Sequence, residues 1–305
     1  MGLRSRFKKE AASFDSIARD RARNRQIPDL QAEFLNPYFY NNIWRNSCFL
    51  KEEYGPIRDW FVDSLKKAGA SRVIELGCGN GWLSLELARE GFVTTGLDIS
   101  PESIRVAKSY LKRLDKEKLV LDYVCENIVD YQGYRGESIV CFGFLHHLPP
   151  PVLRRVLSYL AANMKKGSLL LAAEPRYDHA SKSMAAMIYA LRLALPNHFK
   201  YSPGSLDNPA KNVNAIFAEL KESVVIQSEM DKESSSDLII RTIRKSFDKA
   251  ELKFSTAFYD KIIGSIRVDQ EDSTVLSSVL KRLDNMIIKY RPGFSRTVMI
   301  KAWNI

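Results

Sequence analysis

A short apolar run, Val73-Ile74-Glu75-Leu76, leads into Gly77-Cys78-Gly79-Asn80-Gly81-Trp82, and a later run, Thr95-Gly96-Leu97, ends in Asp98. In order these read as a buried strand, a tight glycine turn, a helix and a second strand closing on an acid, which is half of a nucleoside-binding α/β fold. The glycines permit a backbone path that side chains would block, and they let a ligand lie against the main chain. Asp98, 17 residues beyond Gly81, stands where a carboxylate accepts hydrogen bonds from two ribose hydroxyls. The spacing narrows the choice of nucleoside. A dinucleotide site wants Gly-x-Gly-x-x-Gly facing a pyrophosphate. Here the third glycine comes one residue early, and Trp82 takes the place of the dinucleotide glycine. Glu75, two residues before the first glycine, would repel a pyrophosphate but suits a ligand bearing an ammonium and a sulfonium. The plain alternative is a strand-turn-helix with no ligand.

The flanking chain extends this unit into an alternation of strands and helices. Strands are expected at 72–76, 93–97, 119–124, 138–142 and 168–173. Helices are expected at 82–90, from the Ser100 cap and Pro101 to about 114, and at 151–166, where apolar residues recur at helical spacing before Gly167. Alternation of this kind implies a parallel sheet with right-handed crossovers. The pattern breaks at Arg176. About sixty residues intervene, with a helical run at 183–195, a turn-rich loop at 201–212 and a helix at 213–222. A core helix near 237–250, strands at 253–259 and 297–303, and a helix over 273–289 complete the pattern. Four segments result: a helical lid over 1–70, a ligand-binding half over 71–175, a cap insertion over 176–236 and the remainder of the sheet domain over 237–305. Nine aromatics fall between Phe34 and Phe61, a density that suits a lid over a flat ligand and equally a helix packed on the sheet.

The segment Glu75-x-Gly77-x-Gly79-x-Gly81 with Asp98 resembles the class I S-adenosylmethionine-dependent methyltransferases, with specific motifs over residues 71–175 and only a strand-helix pattern over 237–305. The resemblance implies a seven-stranded, mostly parallel Rossmann-like sheet with helices on both faces, whose last strand is inserted antiparallel beside the sixth. It implies S-adenosyl-L-methionine as cofactor. The turn Gly77, Cys78, Gly79, Asn80 and Gly81 would face its methionine part, Glu75 would help to place its ammonium, Asp98 would hold its ribose and Ile99 would touch its adenine. Where the family often has an aspartate for the adenine amino group, this chain offers Asn127 or Glu126. Phe142-Gly143-Phe144-Leu145-His146-His147-Leu148 resembles the Leu-His-His-Leu segment of small-molecule methyltransferases, and Gly143 would pass close to the sulfonium.

Methyl transfer is a direct displacement, so the protein mainly aligns nucleophile, carbon and sulfur and excludes water. A base matters when the acceptor is a hydroxyl, and imidazole, which ionises near neutrality, is the natural choice. His146 and His147 stand at the right edge of the sheet, either as catalytic groups or as structural ones. Glu174, ending the fifth strand, could orient an acceptor; His179 and His198 in the insertion are weaker candidates. No Asn/Asp-Pro-Pro-Tyr/Phe segment of amino-methylating DNA enzymes follows the fourth strand, and no RNA-binding module is recognisable. A small-molecule, sugar or lipid-linked acceptor, at oxygen rather than nitrogen, is the first reading. An RNA or protein methyltransferase is the second, and a non-catalytic cofactor-binding or interaction protein the third.

Charge bears on the second reading. The formal net charge is +10, and residues 1–25 and 281–305 carry +5 each. Basic ends suit RNA, an anionic membrane face or a phosphorylated substrate, or simply solubility. No run approaches the ~20 apolar residues of a membrane span, and residues 1–10 lack the apolar stretch of a secretory signal. Cys48, Cys78, Cys125 and Cys141 show no paired metal spacing, so no metal site is expected and reduced thiols in a cytoplasmic protein are.

Overall fold

Alternating side chains along the central strands are apolar on both sides, so each strand must be covered on both faces. The computed structural model describes residues 2–23, 29–31, 49–114, 117–196, 209–221, 227–263 and 270–305. Phe34, Tyr38, Phe39, Tyr40 and Trp44 of the aromatic run, Cys48, His198 and most of the turn-rich loop lie outside the described residues. In chain order the elements are α1 (Leu3–Arg23), a π-helical turn (Leu50–Tyr54), α2 (Gly55–Lys67), β1 (Arg72–Leu76), α3 (Trp82–Arg89), β2 (Val93–Asp98), α4 (Pro101–Leu111), β3 (Leu121–Cys125), β4 (Ser138–Phe142), α5 (Pro150–Asn163), β5 (Leu170–Pro175), α6 (Lys182–Ala194), α7 (Pro209–Lys221), α8 (Ser236–Ser246), β6 (Lys249–Ser255), α9 (Tyr259–Ile263), α10 (Gln270–Tyr290) and β7 (Thr297–Trp303).

The seven strands form one sheet in the order β3-β2-β1-β4-β5-β7-β6, parallel except for β7, which runs antiparallel to both neighbours. The two-residue period of the strands divides the core. Ile139 and Cys141, Leu170 and Ala172, and Val298 and Ile300 pack with α5 and α8 on one face. Val140, Leu171, Ala173 and Met299 pack with α2, α3, α6 and α10 on the other. Strand order reverses between β1 and β4, which opens a crevice at their carboxyl ends. No helix among the described residues is long and apolar enough to cross a membrane.

The largest boundary differences from the sequence expectation lie at α8 and β6, where the helix expected to 250 ends at Ser246, and at the start of α7. β6 runs over Lys249–Ser255, earlier than 253–259, and Ala250, Leu252 and Phe254 alternate inward while Lys249, Glu251 and Lys253 face out. It ends where Thr256 takes a φ of 53°, in the left-handed region. Beyond it Asp284 Oδ1 accepts from the amides of Ala257, Phe258 and Tyr259 at 3.0, 2.7 and 3.0 Å, and α9 begins. The turn-rich stretch also ends sooner than 212, since Pro209 opens α7 from the first-turn position that proline favours.

α1 packs along α4. Asp15 Oδ1 accepts from the Ser100 hydroxyl at 2.6 Å and the Glu102 amide at 3.0 Å, while Ser100 Oγ itself caps α4 through the Ser103 amide at 3.0 Å. Arg6 pairs with Glu233, and Lys9 with Glu229 at 3.1 Å. Arg6, Lys9 and Asp15 thus tie one side of α1 to the body of the protein.

Candidate active site

A cavity of about 880 Å³ opens at the carboxyl ends of β1, β2, β4 and β5. Its first wall is the turn after β1. The amides of Gly77 and Cys78 donate to Leu97 O at 2.8 and 3.0 Å, which ties the turn to β2. Asp98 Oδ2 accepts from the Gly79 amide and Oδ1 from the Ser100 amide, both at 2.8 Å. Each oxygen keeps a second lone pair for a ligand. Burial pushes the Asp98 carboxyl upward against the pull of these amides. Glu75 is 1% exposed and accepts from the Ser84 hydroxyl. Burial, with Asp98 nearby, pushes its carboxyl up to about 8.

The motif glycines do different work. A Cβ on Gly77 would stand 2.3 Å from the Phe144 ring, and one on Gly81 2.3 Å from the Tyr123 hydroxyl. Those two make room for protein side chains. Gly79, at a φ of 51°, faces open space and lines the cavity. Gly143 is similar, with only His146 Cε1 nearby, 3.9 Å from its would-be Cβ. Gly79 and Gly143 thus form a backbone cradle on which a ligand can lie.

Cys78, Asn80, Ile99, Glu126, Asn127 and Ile128 also border the cavity. Asn127 Oδ1 accepts from the Val129 amide at 3.1 Å and shapes the turn after β3. Glu126 accepts no hydrogen bond from a described residue. Trp82 packs edge-on against Tyr54 and Phe142, with ring centroids 5.2 and 5.0 Å away, and floors the cleft.

After β4 the chain makes a 3₁₀ turn, Leu145–His147, that brings two imidazoles to the cavity. Glu174 holds this turn. Its Oε1 accepts from the Phe144 and Leu145 amides at 3.0 and 2.8 Å, and its Oε2 lies 2.7 Å from His146 Nδ1. Glu174 is fully buried, so it reaches a ligand chiefly through the histidine that it orients. His147 Nδ1 lies 2.9 Å from Glu10 Oε1 on α1, and Phe14 packs edge-on against its ring.

The far end of the cavity holds charged and aromatic groups that the sequence did not single out. Glu53 pairs with Lys281 at 2.6 Å and with the Thr256 hydroxyl, and Asp260 pairs with Arg296. Arg176 donates to the carbonyls of Pro292 and Ser295 at 3.3 and 3.1 Å and lies 4.7 Å over the Phe254 ring. Its Nε is buried without a hydrogen-bond partner, and burial lowers its pKa. Only Arg176 carried a local signal, its position directly after β5. The partners of Glu10, Glu53 and Asp260 lie in distant segments, and no spacing rule joins them.

Of the residues expected from the sequence, Glu75, Gly77, Cys78, Gly79, Asn80, Asp98, Ile99, Glu126, Asn127, Gly143, His146, His147 and Glu174 converge on this one cavity. Gly81 sits behind it, its carbonyl accepting from the Tyr123 hydroxyl at 3.0 Å. His179 lies apart, with Nε2 3.0 Å from Asp237 Oδ1.

Residues 49–215 match a family described as a methyltransferase domain. The chain belongs to this family. It is 28% identical over 138 residues to a ubiquinone biosynthesis O-methyltransferase of Coxiella burnetii (strain RSA 493 / Nine Mile phase I), covering 45% of this chain and 55% of that protein. It is 27% identical over 134 residues to a putative methyltransferase of Geobacillus sp. (strain WCH70), covering 42% and 53%. The chain spans about half the length of the curated relatives it matches. In fold it is similar to magnesium protoporphyrin IX methyltransferase of Synechocystis PCC 6803, solved with bound SAH, at a TM-score of 0.50 and 14% identity over 95% of this chain and 96% of that one.

Proposed function

We propose that this methyltransferase-family protein transfers the methyl group of S-adenosyl-L-methionine to an oxygen of a small-molecule, sugar or lipid-linked acceptor. The observation that carries this reading is the cradle formed by Asp98 and the open backbone of Gly79 and Gly143 in one cavity. Two carboxylate oxygens with free lone pairs suit a ribose, and the buried Glu75 suits an ammonium. Glu126, with no described partner, is the better acceptor for an adenine amino group than Asn127, whose oxygen already serves the turn. When bound, the cofactor supplies a methyl group on a sulfonium, already a good leaving group. The protein's part is alignment and exclusion of water, which α1 serves through Phe7, Phe14, Ile17 and Ala18 along the cavity. Glu174 holds His146, and either His146 or His147 is in reach of the cleft to take a hydroxyl proton. The ubiquinone-pathway name of the relatives favours oxygen as the methylated atom.

The first experiment is calorimetric titration of S-adenosylmethionine and its demethylated product into the wild type and Asp98→Ala. Loss of two charge-assisted hydrogen bonds should weaken binding about 10- to 100-fold. Unchanged affinity would remove the ribose assignment. Incubation with methyl-labelled cofactor and a cell extract then sorts acceptors: label in small molecules or lipids supports the reading, while label in RNA or protein overturns it.

A further inference from the structure

We propose that His146, His147 and Asp231 form a site for a divalent transition-metal ion at the edge of the methyl-transfer cleft. One ring nitrogen of each histidine and one carboxylate oxygen of Asp231 lie within 4.8 Å of one another. His146 Nε2 is 3.6 Å from Asp231 Oδ1, and the two imidazole centroids are 4.2 Å apart. Tetrahedral bonds of about 2.0–2.1 Å put ligand atoms roughly 3.3 Å apart, so the cluster has to contract by an ångström or so to close on an ion.

The surroundings of the imidazoles match those of ligating histidines. Each Nδ1 faces a buried carboxylate from another element, Glu174 at the end of β5 for His146 and Glu10 on α1 for His147. A ring that donates from Nδ1 carries its lone pair on Nε2, and such carboxylate contacts orient a metal-binding histidine and raise its basicity. The segment that carries Asp231 is fastened to the histidine turn. The Ser234 amide donates to His146 O at 3.1 Å, and the Ser234 hydroxyl donates to Leu148 O at 2.6 Å.

Charge argues in the same direction. Glu10 and Glu174 are 5% and 0% exposed, and no lysine or arginine among the described residues lies within salt-bridge distance of either. Buried carboxylates without a nearby cation are costly. Glu10 Oε2 is moreover buried with no hydrogen-bond partner. A divalent ion held at the far ring nitrogen of each imidazole offsets that charge. Two imidazoles and one carboxylate suit zinc, iron or cobalt and leave coordination positions open, whereas magnesium and calcium prefer oxygen donors.

The site borders the cavity through both histidines, and His146 is the side chain nearest to Gly143. Its use in catalysis rests on the methyltransferase reading; the ion binding does not. A histidine that ligates through Nε2 has no lone pair for the acceptor's proton. An acceptor hydroxyl on an open coordination position would instead ionise, its proton leaving to solvent. The oxygen pair would then form the C–O bond as the methyl–sulfur bond breaks and its electrons stay on sulfur.

The test uses full-length protein, stripped with chelator and dialysed against Co²⁺ or Zn²⁺ without cofactor or acceptor. One Co²⁺ per chain is expected, with a visible d–d band of a low-coordinate site that Zn²⁺ displaces. His147→Gln and Asp231→Asn should weaken Co²⁺ binding about 100-fold or more, and Glu174→Gln about 10- to 100-fold. Circular dichroism and cofactor titration check that each variant is folded. Absence of bound Co²⁺ in the wild type would overturn the proposal, as would binding that survives in folded His147→Gln and Asp231→Asn. Loss in His179→Gln instead would also overturn it, since Asp178, His179 and Asp237 form a separate, more exposed cluster. Cofactor affinity measured in parallel keeps failure of the metal site distinct from failure of the methyltransferase reading.

Discussion

Glu75 shows how a single side chain can be placed by sequence yet tuned by the fold. It sits on the central strand β1, where both neighbouring strands remove water, and burial pushes its carboxyl from 4.5 up to about 8. Between those values the folded protein holds a proton that the unfolded chain has lost. Stability from this group is therefore fully present below about pH 4.5 and declines as pH rises toward 8. Glu75→Gln should flatten that decline in urea midpoints measured across the window. A cofactor ammonium beside Glu75 favours the ionised form, so binding should release a proton and tighten as pH rises through the same window. Calorimetry in buffers of different ionisation heat would detect the released proton, and its persistence in Glu75→Gln would remove Glu75 from the ammonium site. The neighbouring glycines make the same point sterically: Gly77 and Gly81 yield space to Phe144 and Tyr123, and only Gly79 leaves its face open.

At the scale of elements, Asp15 fastens α1 to α4 beside the cleft. Its Oδ1 takes one hydrogen bond from the cap residue of α4 and another from that helix's first turn. Asp15→Ala leaves the Ser100 cap able to accept from Ser103 but removes the docking contacts. A loss of about 1–2 kcal/mol is expected from two hydrogen bonds. The more telling readout is kinetic: amides of α1 should exchange faster and bound cofactor should dissociate faster, with the sheet amides unchanged. Unchanged cofactor dissociation alongside faster α1 exchange would show that α1 does not retain the ligand. The sequence suggested a helical lid over 1–70, but the polar composition of its first helix gave no sign of where that helix docks, because its partners lie about 85 and 220 residues away.

For the whole molecule, the basic C-terminal end proves to be partly interior structure. Lys281, 5% exposed, pairs with Glu53 and lies 3.7 Å from Asp284, and Arg296 pairs with Asp260. Lys281→Ala would strand a buried carboxylate on Glu53, which typically costs about 3–5 kcal/mol. Lys301→Ala removes an exposed pair with Glu251 and should cost no more than about 1 kcal/mol. Urea unfolding of the two variants compares them directly; equal small losses would mean that Glu53 finds solvent or another partner. These buried pairs leave fewer C-terminal cations for phosphate contacts, which favours the small-acceptor reading over RNA.

The sequence alone determined the strand-turn-helix, its terminal acid and the alternation that requires a parallel sheet, because these rest on local rules: glycine torsions, the two-residue and 3.6-residue periods, and caps. From Gly77, Gly79, Asp98, Gly143 and the His146-His147 pair it also located the cleft. The boundary of β6 was misplaced because its end is set by Asp284, about 25 residues downstream. Tertiary structure decided which glycines face the cavity, that Glu174 orients His146, that Glu10 and Asp231 meet the two histidines, and that Glu53 finds Lys281. Each of these depends on side chains far apart in the chain becoming neighbours only when both faces of the sheet are covered, and no spacing in a single sequence encodes such meetings.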